Sequence, residues 1–492
     1  MHPASKLLAV LLTACSTLDL AAATTRPNVL FLAVDDLKPA LGCYGDPLAR
    51  TPNIDRLAAR GVRFDRAYVN QAVCSPSRNA LLLGIRPQTL GIYDLPTHFR
   101  DAYPNAVSFT QTFIQNGYSA EGLGKIWHTG GGNRDDALSW TVPFFAPKGA
   151  AYINPSAERK GPPTESAEVP DNAYLDGKTV AEVVKRLDAL KGRPEQPFLM
   201  MVGFRKPHLP FTAPKKYWDQ FDPASFPLPE RKTAPDGAPE YAAPSGGELK
   251  GYEGMQNALP VSDQAIRHLI HGYYASTSFV DAQIGKVLDA LDATGLAKNT
   301  VIVLWGDHGF HLGDHGFWCK HSNYEQATRI PIIITAPGMK SGASSSALVE
   351  TVDVYPTLLE LTGQSLPPGF DGMALEGASL VPLLRDPSGP SKSHVLSIYP
   401  RGPRLGRAVR TVRYRLVEWK VPGTPADSAE FELYDYETDP LETKNLAAEK
   451  PAVVRELSAI LSTYPEARKQ VVAPAPAKAI GPASAKNDNG DT

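Results

Sequence analysis

The feature that most restricts the fold is a set of short apolar runs that stop at charged residues or proline. Asn28-Val-Leu-Phe-Leu-Ala-Val34 is apolar and rich in β-formers, and it ends in Asp35-Asp36. Such a run reads as a buried parallel strand that delivers both carboxylates to the C-terminal edge of its sheet. Three more runs look alike: 198–204 before Arg205, 300–306 before Asp307, and 330–336 before Pro337. Helical patterns, with apolar residues recurring three and four apart, lie between them at about 53–60, 76–83, 106–116, 177–191, 263–294 and 353–363. This alternation predicts an α/β fold, a large mostly parallel sheet sandwiched by helices, with ligands bound at its C-terminal edge. Two stretches dense in Pro, Gly and Ser, about 141–176 and 207–262, read as long functional insertions on the sheet edge. Past residue 400 the pattern changes to the alternating segments Arg407–Trp419 and Phe431–Tyr436, then a helix near 451–463. That predicts a small C-terminal subdomain carrying an antiparallel sheet. The expected organisation is a leader over 1–23, a catalytic domain over 24–395, the subdomain over 396–466, and an Ala/Pro-rich disordered tail over 467–492.

Composition narrows the function. With 42% hydrophobic residues in 492, the chain can bury a large core. Fifty Lys+Arg against 52 Asp+Glu leave no broad basic surface, so nucleic acid is excluded as a partner and any anion must be held by local charge. Four cysteines exclude a disulfide scaffold and lack the paired spacing of a zinc site. The N-terminus, with Lys6 followed by the apolar Leu7–Ala14 and then small residues, reads as a secretory signal peptide. Its apolar run is too short to span a bilayer, and no later segment supplies a transmembrane stretch. The protein is therefore expected to be exported, periplasmic or secreted. Two processing readings stay open: Leu12-Thr13-Ala14-Cys15 resembles a lipoprotein box that would anchor the chain through Cys15, and Ala21-Ala22-Ala23 resembles an ordinary cleavage site.

Several motifs carry chemistry. In Cys74-Ser75-Pro76-Ser77-Arg78, the proline suits the first turn of a helix, so Cys74 sits where backbone N–H groups favour an anion. Adjacent Asp35 and Asp36 repel unless a hard cation neutralises them, and a second strand ends in Asp307-His308. Together these strand ends make an oxygen-rich site for a divalent metal. Lys125 and His128 follow a short strand at 119–124, and His208 lies in the proline-flanked Lys206-Pro207-His208-Leu209-Pro210. The segment 306–323 gathers His308, His311, His315 and His321 beside Lys320.

The pentapeptide Cys74-x-Pro-x-Arg78 is the sulfatase signature, and the chain resembles the sulfatase family over about residues 26–465. Thr51-Pro-Asn-Ile-Asp-Arg-Leu-Ala and Leu433-Tyr-Asp-Tyr-Glu-Thr-Asp-Pro-Leu-Glu-Thr-Lys-Asn-Leu add to the likeness, and Leu83 replaces a more usual Thr. The Lys125-x-x-His128 spacing and the Asp307-His308 pair resemble the iduronate-2-sulfatase branch. The resemblance implies an alkaline-phosphatase-like fold and a sulfuric ester hydrolase acting on a sulfated saccharide, with a 2-O-sulfated uronic acid as the branch's substrate. It also implies one calcium ion on Asp35, Asp36, Cys74, Asp307 and His308. Cys74 would be oxidised to formylglycine by a formylglycine-generating or anaerobic sulfatase-maturing enzyme, and its hydrate would attack sulfur. Arg78 would stabilise that hydroxyl, Lys125 would clamp sulfate, His128 would act as base, His208 would donate to the leaving oxygen, and Lys320 would reach the sulfate and bridging oxygen. The rivals are a phosphate mono- or diester hydrolase of the same superfamily and a non-catalytic sulfoglycan-binding protein. His98, Arg100, Lys206 and the 207–262 insertion are candidates for substrate selectivity. Cys43 and Cys319 are expected near the site, with their pairing left open.

Overall fold

The computed structural model describes residues 26–472 apart from 155, 157–159, 194, 244–246 and 258–259; the leader with Cys15 and the tail beyond 472 lie outside the described residues. Its strands in chain order are β1 (Asn28–Val34), β2 (Val62–Tyr68), β3 (Ser119–Gly124), β4 (Thr164–Ala167), β5 (Phe198–Phe204), β6 (Phe211–Pro214), β7 (Thr300–Gly306), β8 (Arg329–Thr335) and β9 (Ala343–Glu350). The C-terminal strands are β10 (His394–Arg401), β11 (Arg404–Thr411), β12 (Tyr414–Lys420) and β13 (Glu430–Asp435). The main sheet has the order β3-β5-β1-β7-β8-β2-β9.

Alternate residues of the central strands feed two cores, as the two-residue period of a strand requires. Phe31, Met201, Val303 and Trp305 pack toward Leu81, Leu82, Phe109 and Tyr355 on one face. Leu30, Leu32, Met200 and Leu304 pack toward Val183, Leu187, Ile284 and Val287 on the other. These last come from two long helices, Leu175–Leu190 and Asp263–Thr294. Among the described residues no helix is long and apolar enough to cross a membrane.

The structure corrects three details. The run at 330–336 is not a parallel strand: β8 is antiparallel to both β7 and β2. Between β7 and β8 the chain makes only short turns and the four-residue helix Glu325–Thr328, without the crossover that a parallel return needs. The C-terminal antiparallel sheet, β10-β11-β12-β13, takes in β10 from His394, two residues before the expected boundary at 396. And residues 467–471, placed by the sequence in the tail, lie against the segment 88–93. Arg468 N donates to Gln88 O at 2.9 Å, Val471 N to Gly91 O at 2.7 Å, and Gln470 Oε1 accepts from Tyr93 N at 2.9 Å. Backbone pairing overrides the low-complexity composition there.

Candidate active site

Four adjacent parallel strands, β3, β5, β1 and β7, end in line, and each hands a charged segment to the same edge. The ladder runs one residue past β3, β1 and β7: Lys125 N donates to Gly203 O (3.0 Å), Asp35 N to Phe204 O (3.2 Å) and Asp307 N to Val34 O (3.1 Å). β3 and β5 lie close at this edge because β3 ends in Gly124 and Gly203 is the next-to-last residue of β5. A Cβ on Gly124, whose φ is +79°, would fall 2.0 Å from Gly203 O, and one on Gly203 would meet the Lys125 backbone. Asp36 adopts the left-handed conformation (φ 58°), uncommon for a residue with a side chain, and its N–H donates to Asp307 Oδ1 at 3.0 Å. This turn keeps the second carboxylate in the pocket, where strand alternation would have sent it to the other face.

Cys74 is the first residue of the helix Cys74–Leu83, all of whose residues are buried. Its Sγ lies 3.5 Å from Asp35 Oδ1 and 3.2 Å from His308 Nε2. One turn on, Arg78 is locked: Nη2 reaches Asp307 Oδ2 (2.8 Å) and Asp35 Oδ1 (3.3 Å), while Nη1 donates to the carbonyls of Lys125 (2.5 Å) and Ile126 (2.9 Å). Lys125 Nζ sits 2.6 Å from Asp35 Oδ2, and Lys320 Nζ 3.3 Å from Asp36 Oδ1. His128 is buried and lines the same cavity of about 300 Å³ as Cys74, Lys125, His208 and Lys320. His208, between two cis X-Pro bonds, has Nε2 at 3.1 Å from Lys320 Nζ. The structure thus brings every catalytic and metal candidate read from the sequence to one edge.

The donor set fits a hard divalent cation. Ligand atoms of Asp35, Cys74, Asp307 and His308 all lie within 4.8 Å of one another, and Asp36 Oδ2 is buried without a hydrogen-bond partner. Burial raises Asp36, and burial together with Asp35 pushes Asp307 up to about 7. Burial also opposes ionisation of Asp35, yet Lys125, His208 and Arg78 hold it well below the usual range. Burial thus works against ionising Asp36 and Asp307, a cost that a bound cation would offset. Burial keeps His308 neutral, at about 4, which leaves a ring nitrogen able to ligate. Burial and Asp35 drive the Cys74 thiol well above its ordinary value, so the unmodified thiol is a poor nucleophile.

Other candidates fall elsewhere. Arg100 is held by both oxygens of Asp136 (2.5 and 2.9 Å), and His98 Nδ1 accepts from Arg100 N, so these two form a packing network. Lys206 Nζ donates to His208 O (2.9 Å) and to Pro210 O, and so props the His208 loop. His311 pairs with Ser322 Oγ (2.9 Å) and His315 with Leu441 O (2.9 Å), which leaves His321 on the cavity wall. Cys43 and Cys319 are both free thiols. Two cavity residues had no sequence signal: Lys160, and Glu248 of the 207–262 insertion.

Fold and site define a hydrolase of oxyanion esters built on an α/β sheet. The sulfatase family model matches residues 27–364, and that of the N-sulphoglucosamine sulphohydrolase C-terminal region matches 313–465. Iduronate 2-sulfatase of Homo sapiens is 32% identical over 506 residues, taking in 86% of this chain and 91% of that protein. A sulfatase of Formosa agariphila is 33% identical over 457 residues, with 86% and 83% covered. A solved structure described as a 2-O GAG sulfatase superposes with a TM-score of 0.69 at 26% identity, covering 89% of this chain and 92% of its own. The chain belongs to the sulfatase family and is a sulfuric ester hydrolase.

Proposed function

We propose that this enzyme removes sulfate from a sulfated carbohydrate, a 2-O-sulfated uronic acid within an oligosaccharide or polysaccharide, using a formylglycine made from Cys74 and one calcium ion. The observation that carries the reading is the placement of Cys74 Sγ within 3.5 Å of Asp35, beside His308, on a helix N-terminus ringed by Arg78, Lys125 and Lys320. The likeness to iduronate 2-sulfatase and to the 2-O GAG sulfatase supports the sugar and the sulfate position.

Asp35, Asp36, Asp307 and His308, with the group at position 74, would hold the ion. Bound calcium would draw charge from a sulfate oxygen, and formylglycine would supply a hydrated aldehyde as nucleophile. The chain's own residues do the rest. Arg78, fixed by two carboxylates and two carbonyls, presents positive charge to the nucleophilic position without reorganising. Lys125, beside Asp35, and Lys320, beside Asp36, bind the sulfate oxygens. His128 accepts a proton on a ring nitrogen during sulfate release, and His208 gives one from Nε2 to the departing sugar oxygen. The N-terminal leader would direct the chain out of the cytoplasm, with anchoring through Cys15 as one processing outcome, and a formylglycine-generating or anaerobic sulfatase-maturing enzyme would be its transient partner.

Mass spectrometry of the Cys74 peptide from active enzyme, with desulfation assays on defined sulfated saccharides, tests this reading. Formylglycine and release of a uronic acid 2-sulfate are expected. A thiol at position 74 in fully active enzyme would overturn the nucleophile, and activity confined to other sulfate positions would overturn the substrate.

A further inference from the structure

A carboxylate stands where an anionic ester must enter. Glu248, on the short turn Gly247–Gly251, lines the cavity with Cys74, Lys125, His128 and Lys320, and its side chain is 11% exposed. Like charge facing the incoming sulfate weakens binding, so its presence needs a compensating task. Its contacts show one: Oε2 accepts from Lys320 Nζ at 2.9 Å and Oε1 lies 3.4 Å from His208 Nε2, while Lys320 Nζ and His208 Nε2 are themselves 3.1 Å apart. The three groups form a closed triangle on the cavity wall.

The turn is seated for this contact. Gly247 has φ +62°, and a Cβ there would fall 2.5 Å from Cys319 Sγ. The absence of a side chain lets the turn lie directly on the residue preceding Lys320, so Glu248 and Lys320 are held in register through Gly247 and Cys319. The hydrogen bonding of His208 is equally constrained. Nδ1 faces Leu209 O, an acceptor, so it must carry hydrogen and leaves Nε2 as the ring's exchangeable position. The charged groups around that ring are Glu248 and Lys320, with Asp35 and Asp36 behind and Lys206 bound to its carbonyl.

We propose that Glu248 is a positioning residue for the leaving-group side. Its carboxylate holds Lys320 Nζ and His208 Nε2 at one point, so that both face the sugar oxygen. When the S–O bond breaks, its electron pair stays on that oxygen, which takes a proton from Nε2. The ring keeps Nδ1–H on Leu209 O, and Nε2 then accepts from Lys320 Nζ, the 3.1 Å contact of the structure. The proposal rests on the assignment of His208 as donor to the leaving oxygen.

The test exploits leaving-group dependence, because a sugar alkoxide needs the proton far more than a nitrophenolate does. Kinetics of the mature enzyme, Glu248→Gln and Glu248→Asp are compared on a 2-O-sulfated iduronic acid disaccharide and on 4-nitrophenyl sulfate, with melting temperatures. For Glu248→Gln, kcat on the disaccharide should fall about 100-fold with KM unchanged or lower, the loss on 4-nitrophenyl sulfate should be at least about tenfold smaller, and Glu248→Asp should recover part of it. Gly247→Ala, which displaces the turn but keeps the charge, should show the same imbalance. Equal losses on both substrates, or no loss, in folded Glu248→Gln would overturn the proposal while wild-type turnover leaves the sulfatase reading standing. Failure of the wild type on both sulfates would overturn that reading instead.

Discussion

Two of the buried charge networks in this molecule are built differently. At the joint between the main sheet and the C-terminal subdomain, Arg415 is fully buried and donates to Glu325 Oε2 (2.7 Å), Glu442 Oε1 (2.9 Å) and Thr328 Oγ1 (2.9 Å). Arg410 also reaches Glu325, Tyr68 donates to Glu325 Oε1 (2.9 Å), and Glu325 N donates to Glu442 Oε2 (3.0 Å). Every oxygen of both carboxylates is paired there, and although burial works against it, Arg410 and Arg415 bring Glu325 down to about 2. In the active site, Asp36 Oδ2 lacks a hydrogen-bond partner, and burial together with Asp35 raises Asp307 to about 7. The first network, closed because its carboxylate oxygens are all paired, holds two units together; the second, open one would be completed by an ion and a substrate.

Breaking each network should have opposite signatures. The largest effect is expected at the open one: Cys74→Ala should lower kcat by at least about 10³-fold with saccharide affinity retained, read by turnover and by calorimetric binding. Next, Lys125→Ala should lower kcat/KM about 10²-fold or more and also lower thermal stability, though by less than the Arg415 change below, because Asp35 keeps its pairing with Arg78. In contrast, Arg415→Ala strands Glu325 and Glu442. It should cost about 3–5 kcal/mol in urea unfolding while the folded fraction keeps its kcat; a kcat loss with unchanged stability would erase the contrast.

A gentler probe is pH. Asp307 is raised relative to an unfolded aspartate near 4, so without metal its contribution to stability is present below pH 4 and lost as pH rises toward 7. Calcium should therefore raise the melting temperature of chelator-treated protein more at pH 7.5 than at pH 5, and a pH-independent increment would place the ion away from Asp307. Smallest of all, Arg100→Ala should cost about 1–2 kcal/mol through Asp136 and leave KM for the saccharide unchanged, because its guanidinium is spent inside the packing network.

What the sequence disclosed follows the same division. Asp35, Lys125, His208 and Asp307 were legible because each lies within a few residues of the end of an apolar strand, and neighbouring parallel strands bring their ends together wherever the sheet forms. Cys74 and Arg78 were legible because one helical turn fixes their separation. The direction of β8 was not, since an apolar run says nothing of which way it points. Glu248 was missed because its place depends on the path of a 56-residue insertion over 207–262 and on one close approach to Cys319, neither of which leaves a local pattern. Arg100 and Lys206 illustrate the converse: a charged side chain near a site can be consumed by internal partners that only the fold reveals.

The burial of the helix Cys74–Leu83 also sets a clock. Cys74 is 2% exposed, its ring of neighbours comes from four strands, and the sheet edge around it closes only when residues more than 200 positions later have arrived. No second protein can wrap the segment 74–78 in the finished molecule. On the proposed mechanism, an enzyme that alters this cysteine would therefore have to act on the extended chain, before the sheet closes. A molecule that folds first would keep its thiol and, though native in every other respect, would remain inert.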